Sequence, residues 1–361
     1  MNVTSLARQR GLSLIELMVA LVLSATLLWG VLQIFDSNRN TMRMQTAFAR
    51  VQESGRFAMD LLTKEIRMAD YWGCVPEEDN IQNHLDSTDP DYQNSSAKDL
   101  LDQIGANGVS GDNNVAASLT YGTKDVLLGT DTLTLRGAED ACEGTGRMVP
   151  STQAAALQVS PLCQVEPGDV VLLTNCQSGE LMTITQVQGI GSGGGGGTGE
   201  TGASNKLTVT HDTGNNPADG VIDNATKELQ RQYGADARLL KPYERTYFVA
   251  EGDAGPSLYY AATNASAQEL VPGIEDMQIL YGVDVDGDDV VDRWGSADAF
   301  TDDEMELALA IKVQLVVASD SGVNADELTV TDLDGVGTAY TDGKLRKIYL
   351  STAKVRNRGR M

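Results

Sequence analysis

The chain opens on a long apolar run. Between Leu12 and Phe35 only two residues are strongly polar, and one of them is the carboxylic acid Glu16. At about 1.5 Å of rise per residue, a helix over this run reaches roughly 36 Å, which is enough to cross a bilayer core of about 30 Å. The pattern predicts a transmembrane helix over residues 12–35, preceded by a short polar leader over residues 1–11.

An amphipathic pattern continues beyond the apolar run. Apolar residues recur three and four positions apart, while charged residues fall on the opposite face. Gly73 and Pro76 end this pattern. We therefore expect one helix of roughly sixty residues, with a second half over residues 36–73 and weak points at residues 36–41 and at Gly55.

The rest of the chain carries strand signals. From residue 119 onward, short runs rich in Val, Leu, Thr and Tyr are separated by clusters of turn residues. These runs predict an α+β fold, in which residues 74–361 form a β-rich domain with antiparallel sheet packed on the apolar face of the helix. The polar stretch 77–118 and the glycine-rich stretch 189–205 are expected to be loops.

Charge divides the chain into two parts. Residues 1–73 hold eight Lys or Arg and six Asp or Glu, which leaves 19 and 45 for residues 74–361 and a balance of −26 there. Such a surface repels phosphate backbones, so a nucleic-acid partner is not expected. Arg8 and Arg10 stand in a leader without acids, and the positive-inside rule predicts that the leader is cytoplasmic and the acidic domain extracytoplasmic.

The cysteines favour disulfides. There are four: Cys74, Cys142, Cys163 and Cys176. An even number on the exported side of a membrane predicts two bridges, with three possible pairings. We favour a local bridge from Cys163 to Cys176, with Cys74 and Cys142 tying the helix end to the sheet. Because the chain has two histidines and no CxxC motif, a zinc or redox centre is not expected.

An alternation of aspartates marks one loop of the acidic domain. The stretch "DVDGDDVVD" contains Asp284, Asp286, Asp288 and Asp292 around Gly287. Ca²⁺ takes six to eight oxygen ligands from a folded-back segment, so these residues are candidate calcium ligands, although a solvated acidic turn remains the alternative. The match to an EF-hand loop is partial, because its twelfth position is Gly295 rather than Glu. Elsewhere no phosphate loop, nucleophile–base pair or acid–base pair stands out, so neither an enzyme activity nor another cofactor is predicted.

Glu16 needs a partner that the apolar run does not contain. A carboxylate costs about 2.5–3.5 kcal/mol at the bilayer centre and less near the interface, yet no basic residue lies between Leu12 and Asp36. The stretch "GLSLIELMVA" from Gly11 to Ala20 resembles the class III signal of type IV prepilins and type II secretion pseudopilins. The resemblance implies that a prepilin peptidase cuts after Gly11 and methylates the new N-terminus at Leu12, where the family most often has phenylalanine. It also implies that Glu16 guides docking into a growing filament.

Four later blocks resemble, in the same order, parts of PilW-type minor pilins. They cover residues 52–74, 168–176, 277–288 and 349–358. This resemblance implies a rare subunit that primes pilus assembly with other minor pilins, the major pilin and an inner-membrane assembly platform, and that sits at the pilus tip with a large adhesin. It further implies a single-pass inner-membrane protein with a periplasmic domain that later joins the cell-surface pilus.

Two alternatives stay open. One is a J-like minor pseudopilin of a type II secretion system, although such proteins are usually much shorter. The other is a single-pass anchored periplasmic binding domain, which keeps the membrane helix but gives Gly11 and Glu16 no role.

Overall fold

The computed structural model describes most of the chain. The described residues are 13–73, 80–95, 97–104, 107–142, 148–149, 156–175, 177–188, 207–213, 221–234, 236–263, 265–323 and 326–358.

One very long helix precedes three short ones within these residues, and a 3₁₀ turn precedes the last of them. The helices are α1 (Leu14–Met68), α2 (Pro90–Gln93), α3 (Lys98–Asp102) and α4 (Asp302–Met305), and the 3₁₀ turn is Ala297–Ala299. The strands are β1 (Ile81–Asn83), β2 (Val109–Ser110), β3 (Thr120–Tyr121), β4 (Lys124–Asp125), β5 (Leu133–Asp140), β6 (Met148–Val149), β7 (Ala156–Val159), β8 (Val170–Thr174), β9 (Gly179–Thr183), β10 (Gln186–Gln188), β11 (Leu207–Thr210), β12 (Arg238–Gly252), β13 (Gly255–Ala262), β14 (Gln268–Pro272), β15 (Ile274–Val283), β16 (Arg293–Gly295), β17 (Ala308–Gly322), β18 (Leu328–Thr331), β19 (Gly337–Tyr340) and β20 (Lys344–Lys354).

The strands form three main sheets. The largest has the order β1-β9-β8-β12-β13-β14, with β5 joining β12 to β2. A second sheet has the order β16-β15-β17-β20, and a third has the order β10-β11-β7-β6. Among the described strand pairs, β1 and β9 run parallel and all others run antiparallel. A long helix on mostly antiparallel sheets confirms the predicted α+β fold.

The second half of α1 packs against the β16-β15-β17-β20 sheet and the edge of the largest sheet. It contacts β20, β17 and β14, and its buried residues follow the three-and-four spacing: Ala47, Val51, Gly55, Ala58, Met59, Leu62 and Ile66. They share one hydrophobic core with the inward residues of β15 and β17, among them Met277 and Leu315. Full burial of a side chain such as Leu62 contributes about 1.5–3 kcal/mol. The apolar stripe predicted from the sequence is thus the face that the sheet covers.

The helix ends earlier than the sequence pattern indicates. Its last residue is Met68, five residues before the predicted boundary of 36–73, and it runs without a break through residues 36–41 and Gly55. Asp70 adopts a positive φ of 62°, which is incompatible with continuing the helix. Asn357 donates from Nδ2 to the carbonyl oxygens of Ala69 and Met68 at 2.8 and 3.3 Å. A side chain almost 290 residues away along the chain therefore satisfies carbonyl groups that a helix end leaves open.

Arg358 fixes the same helix end. Its guanidinium binds the carboxylate of Asp70 and donates to the carbonyl oxygens of Met305 and Ala308, at 2.5 and 3.2 Å. A further hydrogen bond reaches Asn107 Oδ1 at 3.3 Å. Because the side chain is only 5% exposed, its charge is both paired and hydrogen-bonded, as a buried charge must be. The C-terminal segment thereby ties α1 to α4 and to the segment before β2.

The stretch 77–118 differs from the predicted loop. Its described residues contain β1, α2, α3 and β2, and they supply Tyr92, Leu100 and Leu101 to a hydrophobic cluster around Trp72. These apolar residues show no helix or strand periodicity in the sequence, yet their burial holds the short elements against the domain. The second predicted loop, 189–205, lies outside the described residues.

The favoured disulfide pairing is wrong. Cys142 is bonded to Cys163, and the two residues also face each other in an isolated antiparallel backbone bridge. Both sulfurs are therefore taken, and neither a Cys163–Cys176 nor a Cys74–Cys142 bridge can form. Cys74 and Cys176 themselves lie outside the described residues.

The two remaining cysteines are predicted to pair with each other. Their described neighbours touch, since the Thr174 hydroxyl donates to the Gly73 carbonyl oxygen at 3.1 Å. Peptide mapping of the unreduced chain should yield a cross-linked peptide that contains Cys74 and Cys176. Alkylation of either thiol before reduction would contradict this pairing.

Gly55 is predicted to be required for helix–sheet contact. A Cβ atom at this position would lie 2.1 Å from the Tyr349 ring, whose hydroxyl donates to the Val51 carbonyl oxygen at 3.1 Å. Alanine gains about 1 kcal/mol in helix propensity over glycine, but overpacking costs about 1–3 kcal/mol. Gly55→Ala should therefore lower the thermal midpoint of the full chain in detergent. Gly30→Ala is the matched control, because a Cβ there meets nothing within 4 Å, and a midpoint equal to or above wild type in Gly55→Ala would overturn the steric argument.

Candidate functional site

The first half of α1 has no partner within the described chain. From Leu14 to Phe35 every residue except Gly30 is exposed, and by length and composition this segment is able to cross a membrane. Monomeric soluble proteins rarely expose contiguous apolar patches larger than a few hundred Å². Lipid or other apolar helices must therefore cover this segment, which we call the apolar segment.

Glu16 lies in the first turn of the helix. Its backbone N–H donates to the Ser13 carbonyl oxygen at 3.1 Å, and its side chain is exposed. Within the described residues no hydrogen bond or ion pair engages its carboxylate. The helix dipole favours a negative charge at this end. Gly11 and Leu12, the predicted cleavage and methylation positions, lie outside the described residues.

The apolar segment and the buried half of α1 belong to one unbroken helix. The helix has 55 residues and thus a length of roughly 80 Å. Since the sheet and Arg358 hold only its second half, the first half projects from the β-rich domain as a continuous helix. Such a helix can insert into lipid or into a bundle of similar helices while the domain stays outside.

Three of the four predicted calcium ligands meet in the loop after β15. Carboxylate oxygens of Asp284, Asp286 and Asp292 all lie within 4.8 Å of one another. Asp288 is not in this group, and its Oδ1 accepts a hydrogen bond from the Val290 N–H at 2.8 Å. In the part of the chain that the structure describes, this is the one group of His, Cys, Asp and Glu side chains with such a spacing.

Backbone hydrogen bonds hold this acidic loop closed. Asp284 Oδ1 accepts from the Gly287 N–H at 2.7 Å, and Oδ2 accepts from the Asp289 N–H at 2.8 Å. Asp292 Oδ2 accepts from the Val285 N–H at 2.8 Å. Each carboxylate oxygen has a second lone pair, so these bonds orient the carboxylates without using up their capacity to bind a cation.

The carboxylates of the loop differ in acidity. Burial raises the pKa of Asp284. The hydrogen bonds from the Asp289, Gly287 and Asp288 N–H groups lower it by more than this, so the pKa lies below its ordinary value. The negative charges of Asp288 and Asp292 raise the pKa of Asp286 above its ordinary value. The loop thus concentrates mutually repelling charge at one point, which a bound cation would relieve.

The two histidines serve the interior of the domain. His84 binds the buried carboxylate of Glu180 and lies 2.6 Å from the Thr226 hydroxyl through Nδ1. His211 Nε2 lies 3.2 Å from the Lys227 carbonyl oxygen, and burial lowers its pKa to about 4. His84 thus bridges a carboxylate and a hydroxyl group, and His211 is bonded to a backbone carbonyl group.

Sequence reasoning found Glu16 and the acidic loop but missed the C-terminal arginine. Arg358 stands in a block that was noted only for its resemblance to other proteins, and nothing local marks it as buried. Arg358 follows Asn357, whose side chain is of a kind that can cap a helix end. The helix end that both residues bind is almost 290 residues away, so the sequence alone does not show the contact.

Two family models match this chain. Residues 246–357 match the model described as type IV pilus-assembly protein W, a range that includes β13 to β20 and the acidic loop. Residues 6–32 match the prokaryotic N-terminal methylation motif, which includes Gly11, Leu12 and Glu16. Together the matches cover less than half of the chain. Comparisons with curated proteins and with solved structures give no match.

Proposed function

We propose that this chain, a type IV pilin of the PilW type by its two family matches, is a minor pilin that a prepilin peptidase cuts after Gly11 and methylates at Leu12. The observation that carries the proposal is the apolar segment. It continues without a break into the half of α1 that packs on the domain, all of its residues except Gly30 are exposed, and it bears one acid at its start. Its role is structural, as a subunit rather than an enzyme.

Cleavage would create the partner that Glu16 lacks. The new α-amino group of Leu12 would be positively charged, and Leu12 precedes Glu16 by four residues in the sequence. In a bundle of such helices, the carboxylate of one subunit can pair with the ammonium group of its neighbour. A charge-assisted pair in a low-dielectric environment is strong and directional. This ion pair favours incorporation of the subunit in one register. The specificity would offset the free-energy cost of placing a carboxylate in lipid.

The subunit starts in the inner membrane with its domain in the periplasm and then joins the pilus. Arg8 and Arg10 favour a cytoplasmic leader. The Cys142–Cys163 disulfide supports an oxidising compartment for the domain. We further propose that it acts with other minor pilins and the major pilin on the inner-membrane assembly platform, and that it sits at the tip, where a large adhesin is a candidate partner.

The alternative filament is that of type II secretion. A J-like pseudopilin would share the N-terminal signal, so the match over residues 6–32 does not discriminate. The match over residues 246–357 favours the pilus. An anchored binding domain would leave both Gly11 and Glu16 without a role.

We predict that Glu16→Ala and Glu16→Gln lower pilus number while the domain still folds. Removal of a charge makes insertion in lipid no worse, so a loss of assembly would report lost recognition. Glutamine keeps the size of the side chain but cannot form an ion pair, so both variants should behave alike. Surface pili would be counted, and other minor pilins co-purified, in a strain that lacks the native copy.

Ser24→Ala is a matched control in the same segment, because within the described residues its hydroxyl donates to the Ala20 carbonyl oxygen of its own helix. It should leave pilus number unchanged. Export and cleavage of all variants would be checked by the size of the chain in membranes. Normal pilus number and normal co-purification in Glu16→Ala would show that the carboxylate is dispensable and reject this assembly mechanism.

We also propose that Ca²⁺ binds the acidic loop. Asp284, Asp286 and Asp292 offer converging oxygens, which suit this cation, and carbonyl groups or water would complete its six to eight ligands. Asp288, included in the prediction from sequence, would contribute only after a rearrangement, since it lies outside the converging group. A bound cation would rigidify the turn between β15 and β16.

Millimolar Ca²⁺ is predicted to raise the thermal midpoint of the full chain in detergent by about 2–5 °C, as expected for a site of submillimolar to millimolar affinity in a domain of this size. Asp286→Asn should abolish most of this shift. Asp326→Asn removes the same charge at an exposed position outside the loop and should keep it. An equal shift in both variants, or none in wild type, would mean that the loop is a solvated acidic turn.

A further inference from the structure

A groove opens beside α1 where the apolar segment ends. It lies between residues 35–50 of the helix and the end of β17, around Asp320 and Val323, and has a volume of about 970 Å³. Phe35 and Met42 give it an apolar lining at the end nearest the apolar segment. Along the helix wall of the groove, apolar and cationic side chains alternate, and Phe35 lies at the end nearest the membrane.

Three arginines line this groove. Arg39, Arg43 and Arg50 are separated by four and seven residues, so they lie on one face of the helix. Arg50 is paired with Asp320 at 2.5 Å. Arg39 and Arg43 are exposed, and within the described residues neither has a hydrogen bond or an ion pair. Both positive charges thus face an open groove, and the nearest carboxylate on the same helix is Asp36, three residues before Arg39.

The depth of Arg39 matches the headgroup layer of a bilayer, and the backbone of Arg43 lies a few ångströms beyond that layer. The apolar segment from Leu14 to Phe35 reaches about 33 Å, close to the thickness of a hydrocarbon core of about 30 Å. With Phe35 at the boundary, Arg39 lies about 6 Å and Arg43 about 12 Å beyond it. The headgroup layer is roughly 5–8 Å thick on each side.

The direction of helical side chains brings both arginines toward the membrane. In an α-helix the Cα–Cβ bonds tilt toward the N-terminus, which here is the membrane end. An arginine side chain can also extend along an apolar surface and place its guanidinium several ångströms away. Arg43 can thereby reach the layer in which Arg39 already lies.

We propose that Arg39 and Arg43 bind the phosphate of an anionic phospholipid headgroup, with the acyl chains beside Phe35 and the apolar segment. The proposal rests on the part of the proposed function in which the helix spans a membrane. Guanidinium groups bind phosphate oxygens in bidentate geometry. The contact would hold a domain with a balance of −26 close to anionic lipids that otherwise repel it.

An acidic face of another protein is the rival occupant of the groove. Position and lining favour lipid over such a partner. A protein face would need no apolar surface continuous with the spanning segment, whereas a phospholipid presents acyl chains and phosphate in this order along the membrane normal.

The test measures which lipids stay bound to the full chain. The purified chain in a neutral detergent would be equilibrated with equimolar phosphatidylglycerol and phosphatidylcholine, and bound lipids would be counted by native mass spectrometry. In Arg39→Gln/Arg43→Gln, the ratio of bound phosphatidylglycerol to phosphatidylcholine should fall roughly fivefold for each arginine removed. Arg39→Lys/Arg43→Lys keeps the charge but loses the bidentate geometry, so its ratio should lie between those of wild type and Arg39→Gln/Arg43→Gln.

Arg56→Gln/Arg67→Gln is the matched control, since both residues are exposed on the same helix outside the groove. It should keep the wild-type ratio. An unchanged ratio in Arg39→Gln/Arg43→Gln would overturn the proposal, as would an equal fall in the control. If that ratio is unchanged and co-purification of other minor pilins is lost, the groove binds protein instead. Because the lipid ratio needs no pilus, a failure of the Glu16 experiment would leave it unaffected.

Discussion

The burial of one half of a helix against a sheet determines the rest of this structure. Leu62 and Ile66 are almost completely buried against the inward residues of β15 and β17. Tyr349 lies across the helix at Gly55, and Arg358 binds Asp70 just beyond the helix end. These contacts join the N-terminal helix to strands and side chains from the C-terminal part of the chain. The helix therefore cannot leave the sheet without the loss of the main hydrophobic core.

Because only one half of α1 is buried, the other half is free to contact lipid or other helices. The sheet holds the second half of α1, so the first half extends away from the domain with its apolar surface uncovered. Most helical stability in proteins comes from tertiary packing, and here that packing acts on the second half of the same helix. Lipid before assembly and neighbouring helices after it would cover the same surface, and Glu16 would make the second environment specific.

Local patterns predicted the helix, the α+β fold and the N-terminal signal. The helix and the signal each depend on one continuous stretch of sequence, and the fold class on a series of short strand-like runs. The helix end was predicted too late because Asn357 and Arg358, almost 290 residues away, hold it at Met68. The cysteine pairing failed for a similar reason, since Cys142 and Cys163 meet only through strand placement. Of the aspartates in the acidic loop, spacing identified Asp284, Asp286 and Asp292, but it could not show that Asp288 turns to the Val290 N–H.

The central claim is that this chain enters a pilus as a processed subunit. The most direct measurement is the intact mass of the chain recovered from sheared and purified surface pili. The account predicts a chain that begins at Leu12, carries one added methyl group and contains two disulfides. A chain that still begins at Met1, or one present in membranes but missing from pili assembled by the same cells, would contradict it.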